Sequence, residues 1–245
     1  MNYIIEEDEN DDLISLKVGA LSVKPLIPNE YQQVDYIESS GGQWFNTNVS
    51  AIDGYKIMCL ISFADGNNKN FSGAQKLSGG VYYRAFAPWA VSQSGDLFSL
   101  GIGLGGAVNT NKAYNVNQKY LIEANLNIDD PYLRVDGTNV VFTETPGGSI
   151  SDRLPNTNIY LFAINNNGSP ATGFVGKVYG NVKILVNDVL VRNFVPCYRK
   201  SDGVIGMYDT VNSVFYTNAG SGSFTKGNDC QNVVITYNAI KTYNE

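Results

Sequence analysis

The sequence predicts an all-β protein, a two-sheet antiparallel sandwich with almost no helix. Three observations carry that prediction. Short runs rich in Val, Ile, Tyr and Phe alternate apolar with polar residues, Gly, Asn, Asp, Ser and Pro punctuate them, and no 3.6-residue repeat persists beyond a turn or two. The 245 residues include 25 Gly, 16 Tyr and 11 Phe, which supply both the turns of a many-stranded sheet and the apolar surface of a large core. All-β sandwiches of this length commonly form one domain.

Taken in order, the chain opens on an acidic run. Glu6, Glu7, Asp8, Glu9, Asp11 and Asp12 stand without Lys or Arg among them, which reads as a solvated tail. Residues 13–30 alternate only in part and carry Pro25 and Pro28, the pattern of an extended arm or edge strand. Strands are expected over Tyr55–Phe63, Gly80–Phe86 and Leu97–Leu104. Within Gln118–Asn127, the residues Tyr120, Ile122, Ala124 and Leu126 fall on one face, as in a half-buried strand. Asp136-Gly137 joins Tyr132–Val135 to Val140–Phe142 as a tight hairpin. Val189–Val195, Val204–Tyr208 and Val214–Thr217 form a meander, and Val233–Tyr237 reads as one more strand. The expected organisation is 1–30 tail and arm, 31–228 sandwich, and 229–245 C-terminal strand or tail.

Charge and composition exclude several function classes. Six of the 23 carboxylates lie in the first 12 residues, so the remaining 17 are balanced by 17 Lys and Arg. A neutral, aromatic body is poorly suited to gripping a phosphate backbone, and no nucleic-acid partner is expected. The absence of histidine removes His-based acid-base chemistry, Ser-His-Asp nucleophiles and the common zinc sites. Cys59, Cys197 and Cys230 show no C-x-x-C spacing; Cys59, inside an apolar run, reads as a buried free thiol. The N-terminus lacks the basic and apolar regions of a secretory signal, and no apolar run reaches membrane-spanning length. Synthesis in a reducing cytoplasm, without membrane insertion, is the expectation.

Specific wording in the chain resembles a known family. Leu190–Cys197 reads LVRNFVPC, Gly203–Val211 reads GVIGMYDTV, and Phe215–Gly227 reads FYTNAGSGSFTKG. With Tyr31–Ser39 (YQQVDYIES), Gly42–Thr47 (GQWFNT), Leu133–Gly137 (LRVDG) and Asn158–Asn165 (NIYLFAIN), these segments resemble the concanavalin A-like, laminin-G-like lectin and glucanase domains of bacteriophage virion proteins and gut bacterial surface proteins. The resemblance implies a jelly-roll version of the sandwich. It is weakest between about 65 and 115, where ligand loops are expected. Asn193 and Asn46 stand where relatives commonly carry acids, so each removes a charge.

Glucanases of this fold cleave with carboxylates on alternate positions of one strand, as in E-x-D-x-x-E. No such pattern occurs, and Glu123 and Asp96 stand alone in their strands; no catalytic residue is assigned and no enzyme is expected. Sugar binding needs an aromatic plate with amide or guanidinium groups around it. Tyr82–Trp89 (YYRAFAPW), Trp44 and the Asn165–Asn167 turn have that composition, so Trp89, Tyr83, Arg84, Trp44, Asn165 and Asn166 are the expected ligand-binding residues. Trp89, beside Pro88 in an expected loop, is the most exposed of them in this reading. The competing reading places Tyr82, Tyr83 and Trp44 in the inter-sheet core. Asp65, Asp129 and Asp130 could ligate calcium but more simply cap turns, as do Asp209 and Asn218. Neither metal nor cofactor is expected.

The resemblance implies a non-enzymatic structural or adhesion component of a bacteriophage virion, a head- or tail-associated fibre or decoration protein made in the host cytoplasm. Its expected partners are other copies of itself, other virion proteins and a host surface glycan. A carbohydrate-binding surface protein of a gut bacterium and a polysaccharide depolymerase are the alternatives. The aliphatic residues of 13–27 and 233–235 are the expected assembly contacts.

Overall fold

A computed structural model describes residues 6–7, 13–15, 27–65, 69–79, 81–91, 97–104, 107–127, 130–142 and 154–230. Every regular element among them is a β-strand. Outside the unit Ile27–Cys230, β1 (Glu6–Glu7) and β2 (Leu13–Ser15) pair antiparallel, with Glu6 opposite Ser15. Part of the acidic run is therefore a strand, which corrects the expected unstructured tail: backbone pairing with Leu13–Ser15 satisfies its amides. The expected Val233–Tyr237 strand and most of the arm lie outside the described residues.

Within Ile27–Cys230 the strands are β3 (Tyr31–Gln33), β4 (Tyr36–Ser40), β5 (Phe45–Ser50), β6 (Tyr55–Phe63), β7 (Lys69–Asn70), β8 (Ser72–Ser78) and β9 (Val81–Val91). They continue as β10 (Leu97–Leu104), β11 (Ala107–Ala113), β12 (Tyr120–Asn125), β13 (Tyr132–Val135), β14 (Thr138–Asn139), β15 (Asn158–Leu161), β16 (Ala163–Asn166) and β17 (Ser169–Ala171). The last are β18 (Val175–Val186), β19 (Val189–Arg199), β20 (Ile205–Asp209), β21 (Val214–Thr217) and β22 (Thr225–Lys226). One sheet runs β11-β10-β9-β8-β15-β5, with β7, β16 and β17 attached, and the other runs β14-β13-β12-β6-β18-β19-β20-β21, with β3, β4 and β22 attached. The ladders are antiparallel except where β16 runs parallel to β8. Two such sheets form the predicted sandwich.

Period-2 burial explains why the sheets face each other. In β12 and the residue that follows it, Tyr120, Ile122, Ala124 and Leu126 are all buried while Leu121 is exposed, as the sequence pattern requires. Phe45, Phe63, Phe71, Phe98, Phe162, Phe174 and Phe224 meet between the sheets, several of them edge to face. Offset and T-shaped geometry suits the ring quadrupoles, so these contacts add to the plain burial of area. A second cluster lies on the opposite face of β19 and β20, where Ile27 and Tyr31 join Val195, Cys197, Tyr208 and Phe215. Ile27 thus belongs to the sandwich, and its boundary precedes the expected residue 31.

The turn at Asp136-Gly137 forms as predicted, with both residues at positive φ (52° and 79°), the condition for a type I′ turn, but the returning strand is Thr138–Asn139 rather than the expected Val140–Phe142. The strands expected at Gly80–Phe86 and Leu97–Leu104 form as β9 and β10, but residues 69–79 and 107–113, in the region where ligand loops were expected, are chiefly strand as well, and Tyr82–Trp89 is not a loop but the middle of β9. Pro88 had suggested a break, yet the ladder passes it through a bulge: Trp89 pairs with Ser99 and Phe86 with Gly101, leaving an extra residue on β9.

Cys59 and Cys197 are buried and Cys230 is half-buried. Burial raises the Cys59 thiol and pushes Cys197 up to about 12, so neither is a thiolate at neutral pH. In native protein an aromatic disulfide reagent is expected to titrate Cys230 well ahead of the other two, and all three at once in denaturant. Fast native reaction of Cys59 would contradict the core described here.

Candidate functional site

Pairing across the first sheet aligns one polar row. Gly103 pairs with Arg84, Arg84 with Gln75, Gln75 with Asn166 and Asn166 with Ser169, crossing β10, β9, β8, β16 and β17. Directly paired residues project from the same face. The face is set by the neighbours: Ala85 and Ala74, one residue away on each strand, are buried in the core, so Arg84 and Gln75 point to the outer surface. Two residues along each strand, the pairing joins Gly101, Phe86, Gly73, Ile164 and Ala171 through their backbones. Gly101, Gly73 and Ile164 are buried there, so the accessible part of this face is the Arg84 row.

Aromatic groups flank this row. Tyr82, two residues before Arg84 on the same face, is 37% exposed, and the Arg84 guanidinium lies 4.8 Å from its ring centre. Leu77, paired with Tyr82, is 48% exposed. On the other side Tyr160 pairs with Gly73, and half-buried Trp44 stacks on it at 4.2 Å with planes 23° apart. The Tyr160 hydroxyl donates to Gly168 O at 3.2 Å, fixing the ring beneath Trp44. Trp44 itself is held by its backbone: Asn218 Oδ1 accepts from its N–H and its carbonyl accepts from Ala219. Trp44 lines a cleft of about 290 Å³ walled by Gly42, Pro170, Thr172, Gly220 and Ser221.

The structure brings together part of the expected set. Arg84, Asn166 and Trp44 share the outer face, while Tyr83, next to Arg84, projects from the opposite face of β9 and is half-buried. Asn165 is corrected: it is 4% exposed, its amide donates to Asn158 O at 2.7 Å and its carbonyl accepts from Gly168 N at 2.6 Å. Both functions of that side chain shape the hairpin, so none remains for a ligand. The side chain of Trp89 lies outside the described residues; its backbone is in β9. The competing core reading does not hold for Tyr82, which is exposed, or for Trp44, which is half-buried outside the core cluster; Tyr83 shares its face of β9 with buried Ala85 but is itself only half-buried. Gln75 and Tyr82 were missed as surface partners, and Tyr160 as the buried ring on which Trp44 stacks. Tyr82 was recoverable from its i−2 spacing to Arg84, whereas Gln75 and Tyr160 join only through long-range strand pairing.

Other surfaces carry weaker arrangements. On the outer face of the second sheet, Lys119 and Lys177 cover the rings of Tyr179 and Tyr36 at 4.1 and 4.6 Å, which leaves no free plate. A cleft of about 580 Å³ lies beside Arg199, Val204, Asn218 and Ser223, but Asp202 already holds Arg199 at 2.6 Å. Glu123 is engaged by the Tyr132 hydroxyl and Arg134. Asp65 faces Lys69 at 3.8 Å, and Asp129 lies outside the described residues. Asp209 and Asn218 bond their own turns as expected, through Val211 N, Asn212 Nδ2, Gly220 N and Gly222 O.

No known family and no curated protein matches the sequence. Solved structures do match the fold. A protein of Bacteroides ovatus described as a candidate carbohydrate-binding protein superposes with a TM-score of 0.51 at 14% identity, covering 80% of this chain and 60% of that one. The IT-sialidase CBM40 of Ruminococcus gnavus gives 0.47 at 13% identity over 64% of this chain and 92% of that one. A SAP-like pentraxin of Limulus polyphemus gives 0.41 at 8%, over 62% and 76%. The chain has a lectin-like jelly-roll fold. Identity this low speaks for the fold alone, so chemistry must come from the residues above.

Proposed function

We propose that the sandwich is a non-enzymatic, lectin-like carbohydrate-binding domain that reads glycans on the outer face of the β9–β8–β16 sheet. The observation that carries this reading is the polar row Arg84, Gln75 and Asn166 set between Tyr82 and the Trp44–Tyr160 stack. A pyranose offers an apolar face for an aromatic plate and hydroxyls for planar amides, and this surface supplies both. Its rows contain no Asp or Glu, whereas hydrolysis needs two carboxyl groups roughly 5 to 9.5 Å apart; that supports binding without cleavage. The sequence resemblance at residues 31–47 and 190–227 supports a place for the domain in a bacteriophage virion. There it serves as a head- or tail-associated adhesion or decoration subunit, made in the host cytoplasm and assembled with copies of itself or other virion proteins.

A glycan array combined with a reducing-sugar assay tests the reading. Binding without sugar release is expected, and release of oligosaccharides would overturn the non-enzymatic part. Trp44→Ala should weaken binding by about tenfold or more, a loss of roughly 1.4 kcal/mol, while the protein stays folded, because Trp44 packs from outside the core. Unchanged affinity in a folded Trp44→Ala protein would remove the stack from the site. Localisation in an intact particle by labelled antibody checks the virion assignment.

A further inference from the structure

Resting on the lectin reading, the geometry points to a carboxylate-bearing sugar as the ligand, its acid group held by Arg84. Arg84 is half-buried, and among the described residues no Asp or Glu pairs with it. The other described arginines contrast with it: Arg134, Arg192 and Arg199 each face an acid, at 3.2, 3.5 and 2.6 Å. Burial acts on the Arg84 guanidinium without a compensating carboxylate, and the group that favours its charge is Tyr82. A cation partly withdrawn from water gains most from an anion that arrives with its ligand.

The surroundings define what kind of anion fits. The Arg84 guanidinium sits over the Tyr82 ring at 4.8 Å, and its planar fork matches a planar carboxylate better than a point charge. Gly103 opposes Arg84 on the β10 side and presents no side chain of its own there. On the other side come the Gln75 and Asn166 amides, which make no side-chain hydrogen bond among the described residues. Strands lie about 4.8 Å apart, so Arg84 to Asn166 spans roughly 10 Å. That leaves room for one pyranose ring whose carboxylate meets Arg84 while its hydroxyl or amide substituents meet Gln75 and Asn166.

The test uses the full chain on an array of uronic-acid and nonulosonic-acid oligosaccharides, each printed beside the same oligosaccharide with its carboxyl reduced to a primary alcohol. Binding of acid forms at least about tenfold tighter than their reduced partners is expected. Arg84→Gln should abolish that preference, and Arg84→Lys, which keeps charge but loses the fork, should retain only part of it. Thermal unfolding of each variant verifies the fold; should Arg84→Gln not fold, the paired sugars and Arg84→Lys still decide. Equal binding of acid and reduced forms, or an acid preference that survives in Arg84→Gln, overturns the acidic-sugar inference while leaving the lectin reading intact. Silence across neutral and acidic sugars alike overturns both.

Discussion

Arg192→Ala is expected to cost about 3 to 5 kcal/mol of folding stability, the usual penalty for removing one partner of a buried ion pair. Arg192 lies in β19 opposite Ile184, so it points between the sheets. From there its Nε donates to Thr47 O at 3.0 Å and its Nη2 to Asn48 O at 3.4 Å, on the facing sheet. Nη1 donates to Val191 O at 2.7 Å, and Asp209 Oδ2 lies 3.5 Å from Nε. Asp209 is fully buried and also accepts from Asn193 N, Val211 N and Asn212 Nδ2. Truncating Arg192 leaves a buried carboxylate without a cation and takes a donor from the Thr47 carbonyl of the other sheet. Arg192→Lys should fall between Ala and wild type, since one ammonium cannot reproduce the fork. As a control, the Lys56–Asp188 pair is 2.6 Å long but the Asp188 side chain is 80% exposed. Asp188→Asn, which removes the charge but keeps a residue suited to the positive φ of 62° at this position, should therefore change stability by less than about 1 kcal/mol. Urea unfolding measures all three, and an Arg192→Ala loss no larger than that of Asp188→Asn would show that the sheets are not tied here.

Much of this architecture is legible in the sequence, because its signals are local. Alternation at Tyr120, Ile122, Ala124 and Leu126 fixes the buried face of β12 without knowledge of its partners. Asp136-Gly137 marks its turn by residue type alone. In the long meander β21 coincides with the expected Val214–Thr217, β20 is offset by one residue from the expected run, and β19 starts at the expected Val189 but continues to Arg199. Where the reading failed, local signals pointed the wrong way. Pro88 suggested a loop, since proline cannot donate to a ladder, and only the pairing of β9 with β10 shows a bulge absorbing it.

The site was legible in composition but not in geometry. Arg84, Asn166 and Trp44 were identifiable as groups able to hold a sugar, yet nothing in their spacing shows that Arg84 and Asn166 share a row. That fact depends on β16 running parallel to β8, a pairing between segments about ninety residues apart. The same pairing places Asn165 inward, where Asn158 O and Gly168 N take up its amide. Three consecutive asparagines are alike in composition and divided in role by the pleat.

Phe162 is expected to give an inverted pair of variants. The chain meets β8 antiparallel in β15, where Tyr160 pairs with Gly73, and then doubles back to run parallel to it in β16, where Ala163 pairs with Ser72. Phe162 is the residue of reversal, at φ 66°, a conformation that costs an L-residue roughly 1 to 2 kcal/mol. Its N–H donates to Phe71 O at 2.6 Å, its carbonyl accepts from Phe174 N at 2.7 Å, and its ring packs on Phe45, Phe71, Phe174 and Phe224 at 4.9 to 5.7 Å. Burial of the ring offsets the backbone cost. Phe162→Ala removes the ring and keeps the strained backbone, for an expected loss of about 3 to 5 kcal/mol. Phe162→Gly removes the ring too but relaxes the backbone, because glycine adopts positive φ freely. In an ordinary strand glycine is roughly 0.5 to 1 kcal/mol worse than alanine; here it should be equal or better. Denaturant unfolding of the two variants side by side reads the difference directly. A glycine variant clearly less stable than the alanine one would mean that residue 162 does not carry the reversal, and the parallel pairing that places Asn166 beside Gln75 would lose its support.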